Sequence, residues 1–412
     1  MKYLKTTIIS ILLFCALIAI YLFSMIGVFS LPSGNIQEHL ATAEIVLDNE
    51  GDYPKPLYAI DASIMDNYTD RIMLTSTVEI DEMNTLFNAM SVRGYARYWH
   101  GYITFLRPLL ILFDYLTIRK IVAGVHILLF TVSICMIQKR FGFRASIPFG
   151  ITWFAFMSML AAASLQYFVS YALMFLGVIL LCYFYKEHTK RSFLIYFFLV
   201  MGSLINFLDL LTFPLVTLAV PITIVALIDI LEKKQKTLHT LLDIILSSVV
   251  WAGSYALTWF SKWWLAGILI KSKVLSNALE QASYRMYGNE SFVINRKNVL
   301  IYNINTPLIL KWFIFSILPW IILALLVFIQ KKWKTILQLL PLALIFAMPY
   351  VWFEVLCNHS QQHRFFAYRA QIGSLFTMLL FFSYSIFPFK AKWRELLPCK
   401  KSKEHFSESE HS

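Results

Sequence analysis

Apolar residues in this chain gather into long unbroken runs, and polar residues collect between them. A membrane crossing needs roughly 20 mostly apolar residues. About ten windows meet that test: 7–30, 119–137, 145–163, 165–185, 192–210, 213–231, 240–260, 311–330, 335–353 and 370–388. The pattern predicts an all-α polytopic membrane protein, with one transmembrane domain over 1–389 and a charged, serine-bearing tail, 390–412, of disordered composition. Lys2 and Lys5 precede the first run and no small-residue cleavage site follows it, so it reads as a retained anchor.

Two shorter patterns lie beyond that anchor. Ile36, Leu40, Ala43 and Leu47 recur at helical spacing with Glu38 and Glu44 off the stripe, which predicts a helix lying at the membrane interface. Tyr102 to Leu116 is apolar but broken by Arg107-Pro108 and Asp114. It reads as a second interfacial or re-entrant helix with the proline near its start.

Composition agrees with the pattern. A chain of 412 residues that is 58% hydrophobic, with a mean hydropathy of +0.64, cannot be packed as one soluble core and must use the lipid bilayer as solvent. The formal charge of +12 adds orientation. Short basic loops at 139–144, 186–191, 232–236 and 331–334, together with both tails and with Asp229 and Asp243 at the inner ends of their runs, carry 20 Lys+Arg against 8 Asp+Glu; the 16 basic and 16 acidic residues elsewhere balance. By the positive-inside rule both termini are cytoplasmic in a multi-pass protein of the cell membrane. The outer loops are then 32–118, 261–310 and 354–369. A basic excess spread over juxtamembrane loops argues against a nucleic-acid partner.

Several chemistries are missing. The five cysteines place no pair on the oxidising side. No Cys-x-x-Cys, His-Glu-x-x-His or phosphate-binding Gly-x-x-x-x-Gly-Lys spacing occurs.

Candidate chemistry concentrates in the outer loops. Asp66-Asn-Tyr-Thr-Asp70 puts carboxylates at i and i+4, suited to a general base, a divalent-metal ligand or both, while a solvated turn gives the same string. Arg93, Arg97 and His100 alternate with Tyr95, Tyr98, Trp99 and Tyr102, combining cations for phosphate with rings for sugar stacking; an interfacial aromatic belt is the plainer reading. Asp209 lies at the outer turn between two apolar runs, paired with Arg97, Lys262 or Arg369 or else capping the next helix. His359 and His363 stand at i and i+4 beside Arg364 and Arg369, where a lipid phosphate headgroup or ordinary anionic lipid would meet them. Lys262, before Trp263 and Trp264, fits the same two readings.

This layout resembles the GT-C class of integral-membrane glycosyltransferases. The strings Asp66 to Asp70, Tyr95 to Tyr102, Asp209 to Pro214 and Asn358 to His363 are also similar to a group of bacterial polytopic membrane proteins. The resemblance spans nearly the whole chain in layout but only these strings in sequence. It implies inverting transfer of a sugar from a polyprenyl-phosphate donor to a cell-surface glycan or glycolipid acceptor, with a first-loop carboxylate as base. That base would be Asp66 or Asp70, with Asp61 behind them. The chain departs from the commonest pattern, because Asp61 lies well past Leu31 while Glu38 and Glu44 are nearer. Under the same resemblance Arg97, His100, Arg364 and Arg369 would hold the leaving phosphate. A polysaccharide polymerase or ligase acting on lipid diphosphates, a flippase or transporter of lipid-linked sugars, and a structural scaffold are the competing classes. Transport has little to run on, because the middles of the spans are nearly free of charge.

Overall fold

A computed structural model describes residues 2–58, 60–79, 84–290, 293–307 and 333–386. Among them every regular element is a helix. Six helices are long and apolar enough to cross a membrane: Leu4–Phe29, Tyr115–Phe141, Leu165–Phe184, Arg191–Leu208, Thr237–Leu269 and Arg364–Ser385. Trp333–Leu339 and Pro341–Val355, bent by 41°, make a seventh if they are one span. The expected span 311–330 and the tail 390–412 lie outside the described residues.

Two of the apolar runs take a different form. The run 145–163 is divided: α7 (Phe143–Ala155) ends before Met157, whose left-handed φ of 50° stops the helix, and a 3-10 turn, Ser158–Ala162, follows. The run 213–231 forms α10 (Val216–Leu227) and then a π-helical turn, Ile228–Glu232. All twelve residues of α10 are buried. A helix apolar on every side can serve lipid or a protein interior, and here the interior takes it. The first helix, α1 (Lys2–Phe29), shows the opposite arrangement, since only 17% of its most apolar window is covered by protein. Leu4, Leu12, Ile20 and Phe23 face outward from it.

The bundle brings α8 (Leu165–Phe184), α9 (Arg191–Leu208) and α11 (Thr237–Leu269) around α10. The α9–α11 seam is the tightest, and Gly202 makes it possible. A Cβ there would stand 2.2 Å from the Trp251 carbonyl oxygen.

The segment that follows α1 is folded onto this bundle. Helix α2 (Ile36–Glu50) buries the expected stripe Ile36, Leu40, Ala43 and Leu47. Two short helices follow, α3 (Asn67–Thr75) and α4 (Thr85–Met90). In α5 (Ile103–Leu112) Pro108 falls inside the helix rather than near its start, because the turn before it begins at His100 and Gly101. Arg107, expected to break this helix, is instead fully buried within it. Its guanidinium donates to the carbonyls of Thr77 and Leu31 and pairs with Glu79. Helix α6 (Tyr115–Phe141) then enters the bundle, with Arg119 paired to Glu50 of α2 at 2.5 Å.

Breaking a buried ion pair leaves an uncompensated charge at a cost of about 3 kcal/mol. Arg107→Ala is therefore expected to lose about that much stability in detergent, measured by thermal unfolding, whereas Arg364→Ala at an exposed position shifts it by no more than about 0.5 kcal/mol.

Candidate functional site

The segment Val92 to Tyr102 is locally unusual, with Arg93, Gly94 and His100 all at left-handed φ, 49°, 77° and 55°. For non-glycine residues this conformation costs roughly 1–2 kcal/mol, and surrounding contacts must hold it. Trp99 supplies one: its indole is fully buried and donates to the Thr258 carbonyl at 2.8 Å. Gly101 supplies another, its amide meeting the Phe207 carbonyl at 2.8 Å, where an added Cβ would collide at 2.5 Å. Trp99 and Tyr102 are thus anchors beneath the surface. Tyr102 also bonds His100 Nδ1 at 3.0 Å.

Held this way, Arg93, Tyr95, Tyr98 and His100 line a cavity of about 400 Å³. Thr69, Ile72 and Ser76 of α3 and Gln166 of α8 form one wall. Arg285 on α12 (Val274–Tyr287), His359, His363 and Phe366 form the other. His359 and His363 approach with ring centroids 4.7 Å apart. Residues from segments far apart in sequence therefore meet at one site.

The imidazoles are neutral. Burial pulls His100 down to about 3, with Lys262 adding to the effect, and lowers His363 to about 4, helped by Arg285. His359 is held well below its ordinary value by burial and then by His363 and Arg285. The Nε2 atoms of His100 and His359 are buried without a hydrogen-bond partner, and unsatisfied groups of this kind call for a ligand or ordered water. Fixed positive charge comes from Arg285, 5.5 Å above the Tyr98 ring, and from Arg93. Arg285 was not singled out in the sequence, although it stands in the string Tyr284-Arg-Met-Tyr287 of the segment 261–310. Its signal was only helical context.

The two carboxylates of the first loop have separate tasks. Asp66 caps α3, accepting from the Thr69 amide at 2.9 Å and the Thr69 hydroxyl at 2.8 Å. Its partner Thr69 stands in the cavity wall, and burial raises the Asp66 pKa. Asp70 points into the bundle instead. It accepts from the amides of Leu165 and Gln166, both at 2.9 Å, and from the Ser164 hydroxyl at 3.3 Å, capping α8. Burial raises it to about 7 against those donors. Asp61 is exposed and paired with Lys55 at 2.7 Å.

Other candidates have different surroundings from those expected. Among the described residues no ion pair joins Asp209 to Arg97, Lys262 or Arg369. Its carboxylate accepts from the Thr212 amide at 2.7 Å and the Ser170 hydroxyl at 3.1 Å, so it caps the turn that floors the cavity. Lys262 is not at a loop but inside α11, fully buried, donating to the Ala89 carbonyl at 3.3 Å. Arg369 is likewise buried, donating to the Ala62 carbonyl at 3.1 Å with its guanidinium over Tyr167. Arg364 lies over the Tyr302 ring and Arg97 reaches Asn277 at 2.9 Å. Arg97 borders a smaller side chamber of about 150 Å³ that shares Tyr98 and Arg285 with the main cavity.

Among the described residues no group of three or more His, Cys, Asp or Glu side chains is arranged to hold a metal ion. Comparison with known proteins gives no matching family profile, no similar curated protein and no similar solved structure. Function must therefore be argued from this geometry.

Two outcomes follow. Asp70→Ala strips three donors at the start of α8 of their acceptor and is expected to cost on the order of 2 kcal/mol in thermal stability, with Asp70→Asn milder. Binding of an inorganic phosphate probe to the purified protein should show no step near pH 6.5, because the imidazoles titrate far below it and the arginines stay charged. Phosphate titrations between pH 5 and 8, corrected for the probe's own ionisation, would reveal a titrating histidine as such a step.

Proposed function

We propose that the protein is a membrane glycosyltransferase of the GT-C kind, moving a sugar from a polyprenyl-phosphate donor to a cell-surface glycan or glycolipid acceptor. One observation carries this reading: the cavity combines guanidinium groups, neutral imidazole donors and sugar-sized aromatic faces, with the buried Asp66 carboxylate directly behind its wall residue Thr69 and an apolar chamber at its side. The chamber lies between Trp259 and Trp263 of α11 and Ala278 and Ala282 of α12. A separate apolar groove of about 560 Å³, lined by Phe260, Trp264, Ile268 and Leu279, shares Trp263 with it. A prenyl chain suits such a groove, and a phosphate suits the arginines that line the chamber and the cavity.

In this reading Asp66 is the base. An acceptor hydroxyl attacks the anomeric carbon, its proton passes to the Asp66 carboxylate, and the bond from that carbon to the phosphate oxygen breaks with its electron pair. Arg285 and Arg93 hold the departing phosphate, while His100 and His359 donate through the Nε2 atoms that lack protein partners. Both carboxylates cap helices, but Asp66 is preferred to Asp70 because its partner Thr69 stands in the cavity wall, whereas Asp70 is turned to the start of α8. The proposal includes about ten spans with both termini cytoplasmic, which sets this cavity on the outer face. A divalent metal is not required by it.

Membranes carrying the wild type are expected to transfer labelled sugar from a polyprenyl-phosphate pool. Asp66→Ala should lower kcat by about 10²–10⁴ at unchanged protein level. Burial raises the Asp66 pKa, and only the ionised form accepts a proton, so the rate should fall as pH drops through a value above the usual carboxylate range. Transfer that survives in Asp66→Ala would remove the base, and no transfer by wild type from any of several donors would remove the reaction.

A further inference from the structure

Beside the cavity the protein keeps aromatic rings in the open. Tyr53 and Tyr68 are 53% and 49% exposed, and their rings stack with centroids 6.4 Å apart. The chain between them is tied back on itself: the Tyr68 amide donates to the Asp52 carbonyl at 3.2 Å and the Met65 amide to the Pro54 carbonyl at 2.9 Å, one bond on each side of Tyr53. Asn67 adds a third tie, its side-chain amide donating to the Gly51 carbonyl at 3.0 Å. The backbone thus sets both rings in advance, which lowers the cost of using them for recognition.

The pair is joined to the cavity ring by ring. Tyr53 meets Phe365 edge-on at 5.3 Å, and Phe365 meets Phe366 at 5.0 Å. Phe366 in turn stacks on His363 at 5.1 Å, and both of these line the cavity. Tyr68 stands one turn before Ile72 of α3, which lines it too. Asp66 is close by: partial burial, then the carboxylates of Asp66 and Asp52, hold the Tyr53 hydroxyl above its ordinary pKa.

The charges around the rings choose between occupants. Arg71 is shared by Glu44, by Asp48 at 2.8 Å and by Asp52 at 3.8 Å, so carboxylates outnumber this cation beside Tyr53. Asp48 and Asp52 are exposed. An acidic margin repels anionic headgroups and polyanions, and charged groups of this kind are costly to cover with acyl chains. It suits a ligand that donates hydroxyl hydrogens at its edge and lays a flat face of C–H groups on a ring. A pyranose does both.

We propose that Tyr53, Tyr68 and Phe365 form an acceptor subsite on which a sugar unit of a neutral glycan stacks, next to the carboxylate that would take its proton. This deepens the glycosyltransferase reading and rests on it. The acceptor would then be held by ring faces and the donor phosphate by Arg285 and Arg93, so each substrate meets chemistry that the other lacks.

Binding is measured here, not transfer, so that failure of the subsite and failure of the enzymatic reading are told apart. Full-length protein in phosphatidylcholine nanodiscs is titrated with maltohexaose, chitohexaose and xylohexaose at millimolar concentration, followed by saturation-transfer difference NMR. Tyr68→Leu keeps apolar bulk against Ile72 but has no flat face, and Tyr68→Phe keeps the face; the same two changes are made at Tyr53. Tyr58→Leu is the control, at a tyrosine 91% exposed. Each variant is first checked for an unchanged Tm. The expected result is binding of one or more hexamers to the wild type, weakened at least about 5-fold in either Leu variant and kept within about 2-fold in the Phe variants and in Tyr58→Leu. No binding by any hexamer would return the rings to the membrane interface and overturn the proposal. Equal affinity in the Leu and Phe variants, or an equal loss in Tyr58→Leu, would overturn it as well.

Discussion

The architecture hangs on a carboxylate meeting the exposed amides at the start of a helix. Asp70 belongs to the segment between α1 and α6, yet its oxygens close the N-terminus of α8, one of the membrane-length helices. The first amides of a helix have no partner of their own and carry partial positive charge. One side chain therefore satisfies the bundle and fastens the loop at once. Helix α3 is only nine residues long and would be marginal alone. Fixed at Asp70, it turns Thr69, Ile72 and Ser76 toward the cavity.

Positive side chains do the complementary job on loop carbonyls. Arg107 takes those of Leu31 and Thr77, and Arg369 takes that of Ala62. Irregular chain packed against a bundle exposes carbonyls that neither helix nor sheet satisfies, and a buried guanidinium offers five donors in a rigid fork. Charges that look functional because they lie deep are here partly the fastening of the loops. Arg93 and Arg285 differ in facing open space.

Helical class, the individual apolar runs and the α2 stripe were legible because burial writes itself as periodicity. Ile36, Leu40, Ala43 and Leu47 repeat every three or four residues, and those are the residues α2 buries. Runs 145–163 and 213–231 were less so, since hydropathy records how apolar a segment is and not what covers it. Met157 and the π turn at Ile228 interrupt helices without any polar mark. In the candidate site the Arg93 to Tyr102 string was visible as chemistry, but its division into anchors and lining was not. Trp99 and His100 are neighbours in sequence and turn opposite ways because of one left-handed φ. Arg285 and the true surroundings of Lys262 depend on contacts across more than a hundred residues, and those of Asp209 on one across 39, which no local spacing encodes.

Arg285 is carried by α12, a peripheral amphipathic helix whose Tyr284 is gripped by Asn358 and Gln362 from one side and whose Asn277 is held by Arg97 from the other. The same helix supplies a wall of the apolar groove through Leu275 and Leu279. A molecule wedged in that groove therefore presses on the element that positions the cation. The affinities of an isolated headgroup and of an isolated tail cannot simply be summed, because each would be measured against a different position of α12. On the proposed reading, recognition at this site would be a property of the joined molecule, and fragments of it would understate how well the whole is held.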